Sequence, residues 1–86
     1  MTGMFAISKA GHDKGELYII IKEDAEYVYL VDGIRRKLLK PKKKKKKHIQ
    51  IIRKVDGPLC CKINQNETVR DEDIKRAVKL YSGERI

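Results

Sequence analysis

Six consecutive lysines, residues 42–47, constrain the fold of this 86-residue chain more than any other feature. Neighbouring ammonium groups repel one another, so six of them in a row cannot enter a core. The block therefore predicts a solvated, mobile basic loop at residues 40–48, with ordered structure on either side. By itself such a run is as typical of a solubilising segment as of a binding site.

The positive charge of the chain is concentrated around this loop. Residues 34–54 contain 12 of the 21 lysines and arginines and none of the 12 aspartates and glutamates, so the rest of the chain carries a net charge of −3. A polyanion would relieve the repulsion within this segment, because the binding of phosphates releases condensed counterions. Nucleic acid is the partner that best uses this arrangement.

The length allows one domain, residues 1–86, with a small core. The longest apolar run, residues 17–21, is far shorter than the roughly 20 residues of a membrane-spanning helix, and the first residues do not resemble a secretory signal. We therefore expect a cytoplasmic protein without a membrane partner. Cys60 and Cys61 are adjacent, which disfavours a disulfide, and no second Cys/His pair has zinc spacing. We expect reduced thiols, no metal and no cofactor.

Short β-rich segments separated by turn signals lie on both sides of the basic loop. Residues 5–8, 17–22, 27–31, 34–39 and 48–53 are rich in β-branched and aromatic side chains. Residues 11–15 and Asp32-Gly33 are turn signals, because glycine and aspartate tolerate positive φ, and Pro41 ends the fourth segment. Five short antiparallel strands predict a mainly β fold, a small and partly open barrel, with the lysines between the last two strands.

A helical period follows the strands. Ile74, Ala77, Val78 and Tyr81 recur at i, i+3, i+4 and i+7, which predicts one C-terminal α-helix at about residues 69–82, packed against the barrel. Residues 59–63 form either a further extended piece or a packing segment, and both alternatives fit their pattern.

Two segments carry more specific motifs. Residues 11–15 form a Gly-x-x-Lys-Gly turn between two strands, and residues 32–37 read Asp-Gly-Ile-Arg-Arg-Lys, followed by Lys40-Pro41-Lys42 and then His48. Together they resemble the KOW family of RNA-binding modules, in the branch related to the large-subunit ribosomal protein of the L-fourteen-e type, with Gly15 at the family glycine. The resemblance implies an SH3-like five-stranded barrel that binds ribosomal or other structured RNA through its loops, without catalysis or an obligatory cofactor.

The expected RNA-binding residues lie in the glycine turn, in the 34–39 segment and around the basic loop. Arg35 and Arg36 would leave a strand in opposite directions, so one of them is expected to contact RNA. At least two of Tyr18, Tyr27 and Tyr29 are expected in the core of so small a chain. The RNA-binding set is Lys9, Lys14, Gly15, Arg35, Arg36, Lys37, Lys40, Lys42, Lys43, Lys44, Lys45, Lys46, Lys47, His48 and Arg53.

Ribosomal RNA is the first expected partner, which suggests a ribosome-associated protein that acts in translation. The C-terminal helix is a candidate surface for a ribosomal or other protein partner, and we expect a monomer. Two alternatives share the same charge pattern: an SH3-like module that binds an acidic protein, and a non-specific DNA-binding protein. An enzyme is not expected, because the chain has only two histidines and lacks a nucleophile–base arrangement.

Overall fold

The structure, a computed structural model, describes residues 2–84. It is mainly β, as predicted, with a five-stranded antiparallel sheet and two α-helices. Met1, Arg85 and Ile86 of the predicted 1–86 domain lie outside the described residues. The elements in chain order are β1 (Met4–Ser8), β2 (Leu17–Glu23), β3 (Tyr27–Val31), β4 (Lys42–Lys45), β5 (Ile49–Val55), α1 (Gly57–Asn64) and α2 (Asp71–Glu84), with a 3₁₀ turn at Lys46–His48.

The sheet is a meander whose last strand returns to the first. Its spatial order is β4-β3-β2-β1-β5, and every neighbouring pair is antiparallel. Ala6 of β1 therefore lies opposite both Tyr18 of β2 and Ile51 of β5. The register shifts once between β1 and β5 and once between β2 and β3, and such irregularities bend and twist a sheet.

Both faces of the sheet bury apolar side chains, because successive residues of a strand point to opposite faces. The face toward the helices buries Phe5, Leu17, Ile19 and Val31 together with Leu59, Ile74 and Ala77 of the helices. The other face buries Ala6, Tyr18, Ile20, Val28, Leu30 and Ile49. A fully buried large aliphatic or aromatic side chain contributes about 1.5–3 kcal/mol, so a chain of this size gains much of its stability from using both faces.

The C-terminal helix is the element that the helical period predicted. Ile74 and Ala77 are buried, and Val78 and Tyr81 pack at the margin of the same core. The ring of Tyr81 stacks on Phe5, with 4.4 Å between the ring centroids. The helix begins and ends two residues later than the predicted range of 69–82. Its apolar face fixes α2 to the sheet.

A second, shorter helix occupies the segment whose conformation the sequence left open. Asp56 caps α1, since its carboxylate accepts a hydrogen bond from the backbone N–H of Leu59 at 3.0 Å. Leu59 is 1% exposed and enters the core beneath the helices. The prediction of a single C-terminal helix is therefore wrong. No helix within residues 2–84 has the length and apolar character needed to cross a membrane.

The lysine block differs most from the sequence prediction. Residues 40–48 are not a mobile loop: Lys42–Lys45 is β4, paired with β3, and Lys46–His48 is the 3₁₀ turn. Val28 and Leu30 of β3 are fully buried and pair with Lys44 and Lys42. An edge strand tolerates lysine because alternate side chains reach solvent, while the others lay an apolar stem along the sheet and place the ammonium at its margin.

Residues 34–39 do not form the predicted fourth strand. Oδ1 of Asp32 accepts hydrogen bonds from the backbone N–H groups of Ile34, Arg35 and Arg36, each at 2.9 Å. Donors bound in this way are not available to a strand ladder, so the chain continues as turns as far as Pro41. The prediction that Arg35 and Arg36 project from the two faces of a strand is therefore wrong.

Candidate nucleic-acid interface

The lysines that follow Pro41 form two sets, because the side chains of a strand alternate between faces. Lys44 Nζ lies 2.6 Å from Asp13 Oδ1, and Lys42 Nζ lies 3.2 Å from Oδ2 of the same carboxylate. Lys46 Nζ lies 3.0 Å from Glu23 Oε2. We call these three the inner lysines. The outer lysines are exposed and form no ion pair within residues 2–84; they are Lys43, Lys45 and Lys47.

Asp13 connects the turn at residues 9–16 to β4. Its carboxylate accepts hydrogen bonds from the hydroxyl groups of Ser8 and Tyr18, each at 2.9 Å, in addition to the one from Lys44. Lys44 Nζ also donates to the carbonyl oxygen of Ala10 at 2.8 Å. The side chains of Asp13 and Lys44 are each only 10% exposed. The ammonium groups of the inner lysines therefore bind carboxylates of the protein itself, and they contribute to the stability of the fold.

The same contacts keep Asp13 ionised. Burial by itself raises the pKa of the Asp13 carboxyl, but hydrogen bonds from Lys44, Ser8, Tyr18 and Lys42 outweigh burial and hold that pKa well below its usual value. Burial and the hydrogen bond to Asp13 raise the pKa of the Tyr18 hydroxyl above its usual value. The negative charge of Asp13 offsets the charge of the inner lysines beside it, so an external anion is attracted chiefly by the outer lysines.

The glycine turn lies directly against β4. Gly11 and Gly15 have φ values of +86° and +90°, in the left-handed region that glycine adopts without strain. The N–H of Gly15 donates to the carbonyl oxygen of Ser8 at 2.8 Å, so it closes the turn and does not point at a ligand. Lys9 and Lys14 flank the turn and are exposed. In this segment the two lysines, and not Gly15, are placed to contact phosphate.

A cleft of about 310 Å³ joins this turn to the arginine segment. Arg35 forms an ion pair within the protein, since its Nη2 lies 2.6 Å from Glu16 Oε2. Arg36 is partly buried and forms no ion pair in the described part of the chain. The two motifs identified in the sequence thus meet at one concave surface, which is lined by His12, Asp13, Tyr18, Arg35, Arg36 and Lys42.

The connection from β3 to β4 is held in place by α2. Gly33 has a φ of +81° and lies so close to the helix that a Cβ at this position would be 2.6 Å from the carbonyl oxygen of Asp71. Oδ1 of Asp71 accepts a hydrogen bond from the backbone N–H of Leu38 at 2.8 Å. Together with the three hydrogen bonds to Asp32, these contacts fix the conformation of the arginine segment.

An aromatic surface lies beside the outer lysines. Strand pairing places Lys22, Tyr29 and Lys43 in a row across β2, β3 and β4, and it places Tyr27 opposite Lys45 in the next row. Both tyrosines are only partly buried, so the prediction that at least two of the three strand tyrosines lie in the core is wrong. Their alternation with the buried residues of β3 is the sequence signal for this surface.

The remaining predicted residues have different surroundings. Lys37 and Lys40 are exposed on the connection between β3 and β4. His48 is partly buried, and its carbonyl oxygen accepts a hydrogen bond from the N–H of Lys9 at 2.8 Å, which ties the 3₁₀ turn to the glycine turn. Arg53 is exposed on β5, at the edge of the sheet opposite β4. The structure therefore does not bring Arg53 to the surface of the outer lysines.

Cys60 and Cys61 are free thiols, the first partly buried and the second exposed. Across residues 2–84, no cluster of three or more histidine, cysteine, aspartate or glutamate side chains is arranged to hold a metal ion. In comparisons with known proteins, no family model and no curated protein matches this chain. Its function therefore has to be inferred from the geometry and charge of the surface described above.

Proposed function

We propose that the protein is an RNA-binding module with an SH3-like barrel of the KOW type, and that it binds structured RNA through the outer lysines on one face of β4 and the cleft on its other face. The observation that carries this proposal is the division of the lysine block into an internally neutralised set and an exposed set on an ordered strand. Alternate residues of a strand are roughly 6.6 Å apart, so Lys43 and Lys45 present their charges at a fixed spacing.

The topology supports the barrel part of the proposal. After a four-stranded meander, β5 pairs with β1, and the sheet buries side chains on both of its faces. A curved sheet whose last strand returns to the first is the arrangement that a small five-stranded barrel requires. Under this proposal the turn at residues 9–16 is the KOW turn, and Gly15 shapes it.

The charge distribution favours a polyanion over a small anion. Six of the cations that form no ion pair within residues 2–84 lie on the glycine turn, in the cleft and on β4 with the turn that follows it. Because these segments lie on both faces of an edge strand, a single phosphate cannot contact all of them, and the proposal requires a longer polyanion that gains affinity from counterion release at each contact. These cations are Lys9, Lys14, Arg36, Lys43, Lys45 and Lys47. Ribosomal RNA is the first candidate ligand because of the resemblance to the KOW family.

A pair of charge-neutralising variants tests the proposal. Lys43→Gln with Lys45→Gln removes two outer lysines, and Lys75→Gln with Lys79→Gln removes the same charge from exposed positions of α2 as a matched control. If each lysine contacts one phosphate, the first variant lowers the salt slope by about 1.4, at about 0.7 per contact for a single strand. If the variant and the wild-type protein bind equally well at about 1 M salt, this difference in slope makes the variant bind about 25-fold more weakly at about 0.1 M salt.

Fluorescence anisotropy over a salt series is the measurement, with a structured ribosomal RNA fragment and a DNA duplex of equal length. Equal losses in the two variants would contradict the site, and failure of the wild-type protein to bind RNA would contradict the function. Equal affinity for RNA and DNA would reduce the proposal to non-specific polyanion binding. A partner recovered from nuclease-treated lysate would instead support recognition of an acidic protein.

A further inference from the structure

The helices leave one end of the sheet uncovered. On β3, Tyr27 and Tyr29 share a face with Val31, which is buried beneath the helices. The helices do not extend over the two tyrosines, which remain partly exposed between β2 and β4. Lysines on the neighbouring strands border the tyrosines on both sides. Lys22 of β2 lies opposite Tyr29, and the outer lysines of β4 lie on the other side. This part of the sheet is therefore a basic surface with two aromatic rings at its centre.

A lysine side chain lies over each ring. Lys43 Nζ lies 4.4 Å from the centroid of the Tyr27 ring, and Lys22 Nζ lies 5.4 Å from that of Tyr29. Cation–π contacts at exposed sites are weak, about 0.5–1 kcal/mol, so a phosphate can draw either ammonium away from its ring at little cost. The movement would uncover an aromatic face at the moment when a phosphate is bound beside it.

The backbone that carries the rings is fixed before any ligand arrives. Oδ1 of Asp24 accepts hydrogen bonds from the backbone N–H groups of Tyr27 at 2.8 Å and Glu26 at 3.1 Å, which fixes the start of β3. Oδ2 of Asp24 lies 3.5 Å from the hydroxyl oxygen of Tyr29. Asp24, Glu26 and the Lys46-paired Glu23 place negative charge at this end of the surface, so a phosphate backbone is directed toward the lysines of β4.

The spacing of the tyrosines selects for unpaired nucleotides. Side chains two residues apart on a strand are separated by roughly 6.6 Å, about twice the 3.4 Å rise between stacked bases. Adjacent bases can therefore occupy both rings only if they are unstacked from each other, as in a loop, a bulge or a single strand. Sheet surfaces with exposed aromatic residues bind RNA in this way in other folds.

We propose that Tyr27 and Tyr29 form a stacking platform for two unpaired nucleotides, whose phosphates are bound by Lys22, Lys43 and Lys45. This inference rests on the proposed RNA-binding function and adds to it the class of RNA segment that is recognised. The outer lysines attract any phosphate backbone, and the platform gives unpaired RNA an additional contact that a duplex cannot make.

The test compares Tyr27→Leu and Tyr29→Leu with the matched variants Tyr27→Phe and Tyr29→Phe, which keep the aromatic face. The probes are a labelled oligouridylate of about eight nucleotides and a blunt RNA duplex of similar length. Each leucine variant should weaken oligouridylate binding by about fivefold or more and change duplex binding by less than about twofold. Each phenylalanine variant should bind both probes as the wild type does.

A second measurement needs no variant. The chain contains no tryptophan, so its emission comes from tyrosine, and bases stacked on the platform should quench part of that emission with the oligouridylate but not with the duplex. Leucine variants that bind like the wild type, or a saturated complex without quenching, would overturn the platform while leaving the RNA-binding function intact. Failure of the wild type to bind either probe would overturn the RNA-binding function itself.

Discussion

Lys44 and Lys45 are neighbours in β4 with identical side chains, yet they have opposite roles in the structure. The side chain of Lys44 is 10% exposed, and its Nζ donates to Asp13 at 2.6 Å and to the carbonyl oxygen of Ala10 at 2.8 Å. Lys45 is exposed and forms no ion pair within residues 2–84. Replacing each with methionine keeps most of the unbranched stem and removes the ammonium, so the two variants isolate its contribution.

The expected magnitudes follow from these contacts. Lys44→Met removes two hydrogen bonds from a charged donor, and such bonds contribute about 1.5–3 kcal/mol each. Asp13 keeps its hydrogen bonds from Ser8, Tyr18 and Lys42, so its charge is not left unpaired, and we expect a net loss of about 2 kcal/mol. In a domain of this size that loss lowers the melting temperature by about 8–16 °C. Lys45→Met should change stability by less than about 0.5 kcal/mol.

Urea and thermal unfolding, followed by circular dichroism, measure both variants. A double-mutant cycle with Asp13→Asn should give a coupling energy of at least about 1 kcal/mol for Lys44 and close to zero for Lys45. RNA affinity measured on the same variants should show the reverse order, with Lys45→Met the weaker binder. Equal destabilisation by the two methionines, or no coupling between Lys44 and Asp13, would refute the division into inner and outer lysines.

Three further predictions concern the turns and the acid end of the pH range. Gly33→Asn should destabilise the protein by more than about 2 kcal/mol, because its Cβ would lie 2.6 Å from the backbone of Asp71. Gly15→Asn, at a position where an added Cβ would have no neighbouring atom within 4 Å, should lose less than about 1 kcal/mol, and equal melting temperatures of the two variants would contradict this account. The pKa of Asp13 is lower in the folded state than its unfolded value of about 3.9, so its contribution to stability is complete above that value and is lost as the pH falls toward the folded pKa. Asp13→Asn should therefore flatten the fall in melting temperature between about pH 5 and pH 2, and an unchanged acid profile would argue against Asp13 as its source. Asp71→Ala removes the acceptor for the Leu38 N–H, so it should lower stability by about 1 kcal/mol and weaken RNA binding, and wild-type RNA affinity would show that the arginine segment does not depend on this anchor.

The local sequence pattern was sufficient to locate the strands and the helix whose apolar residues recur with the period of the element. β1, β2, β3, β5 and α2 lie close to their predicted positions, because each has a run of apolar residues with the period of its secondary structure. β4 could not be found in this way, since its four residues are all lysine and the carboxylate that receives Lys44 lies 31 residues earlier in the chain. The strand propensity of lysine contains no information about a carboxylate so distant in the sequence.

Side-chain capping explains the other error in the strand assignment. Asp32-Gly33 was expected to turn the chain directly into a strand, and the Asp32 carboxylate instead binds the next three available N–H groups. The close approach of Gly33 to α2 then requires the connection to follow the helix before it reaches Pro41. Both effects depend on tertiary contacts that a pattern of turn residues does not contain.

For the candidate site, the sequence located the charge but not its arrangement. It predicted that the glycine turn and the arginine segment act together, and the structure brings both to one cleft. It treated the six lysines as equivalent, and it placed most of the strand tyrosines in the core. The register of β3 with β4 decides both points, because it determines which lysines face Asp13 and which lie beside Tyr27 and Tyr29.

The alternation in β4 also determines which amino groups are open to covalent chemistry. An acylating reagent, or an acetyltransferase, needs an accessible amine, and Lys44 is both covered and held by two acceptors. The outer lysines are exposed, and acetylation of each removes one positive charge without disturbing a contact to Asp13. Mass spectrometry of lightly acetylated protein should therefore find Lys43, Lys45 and Lys47 modified before Lys44. Under the proposed function, acetylation of the outer lysines would lower the affinity of this surface for phosphate one charge at a time.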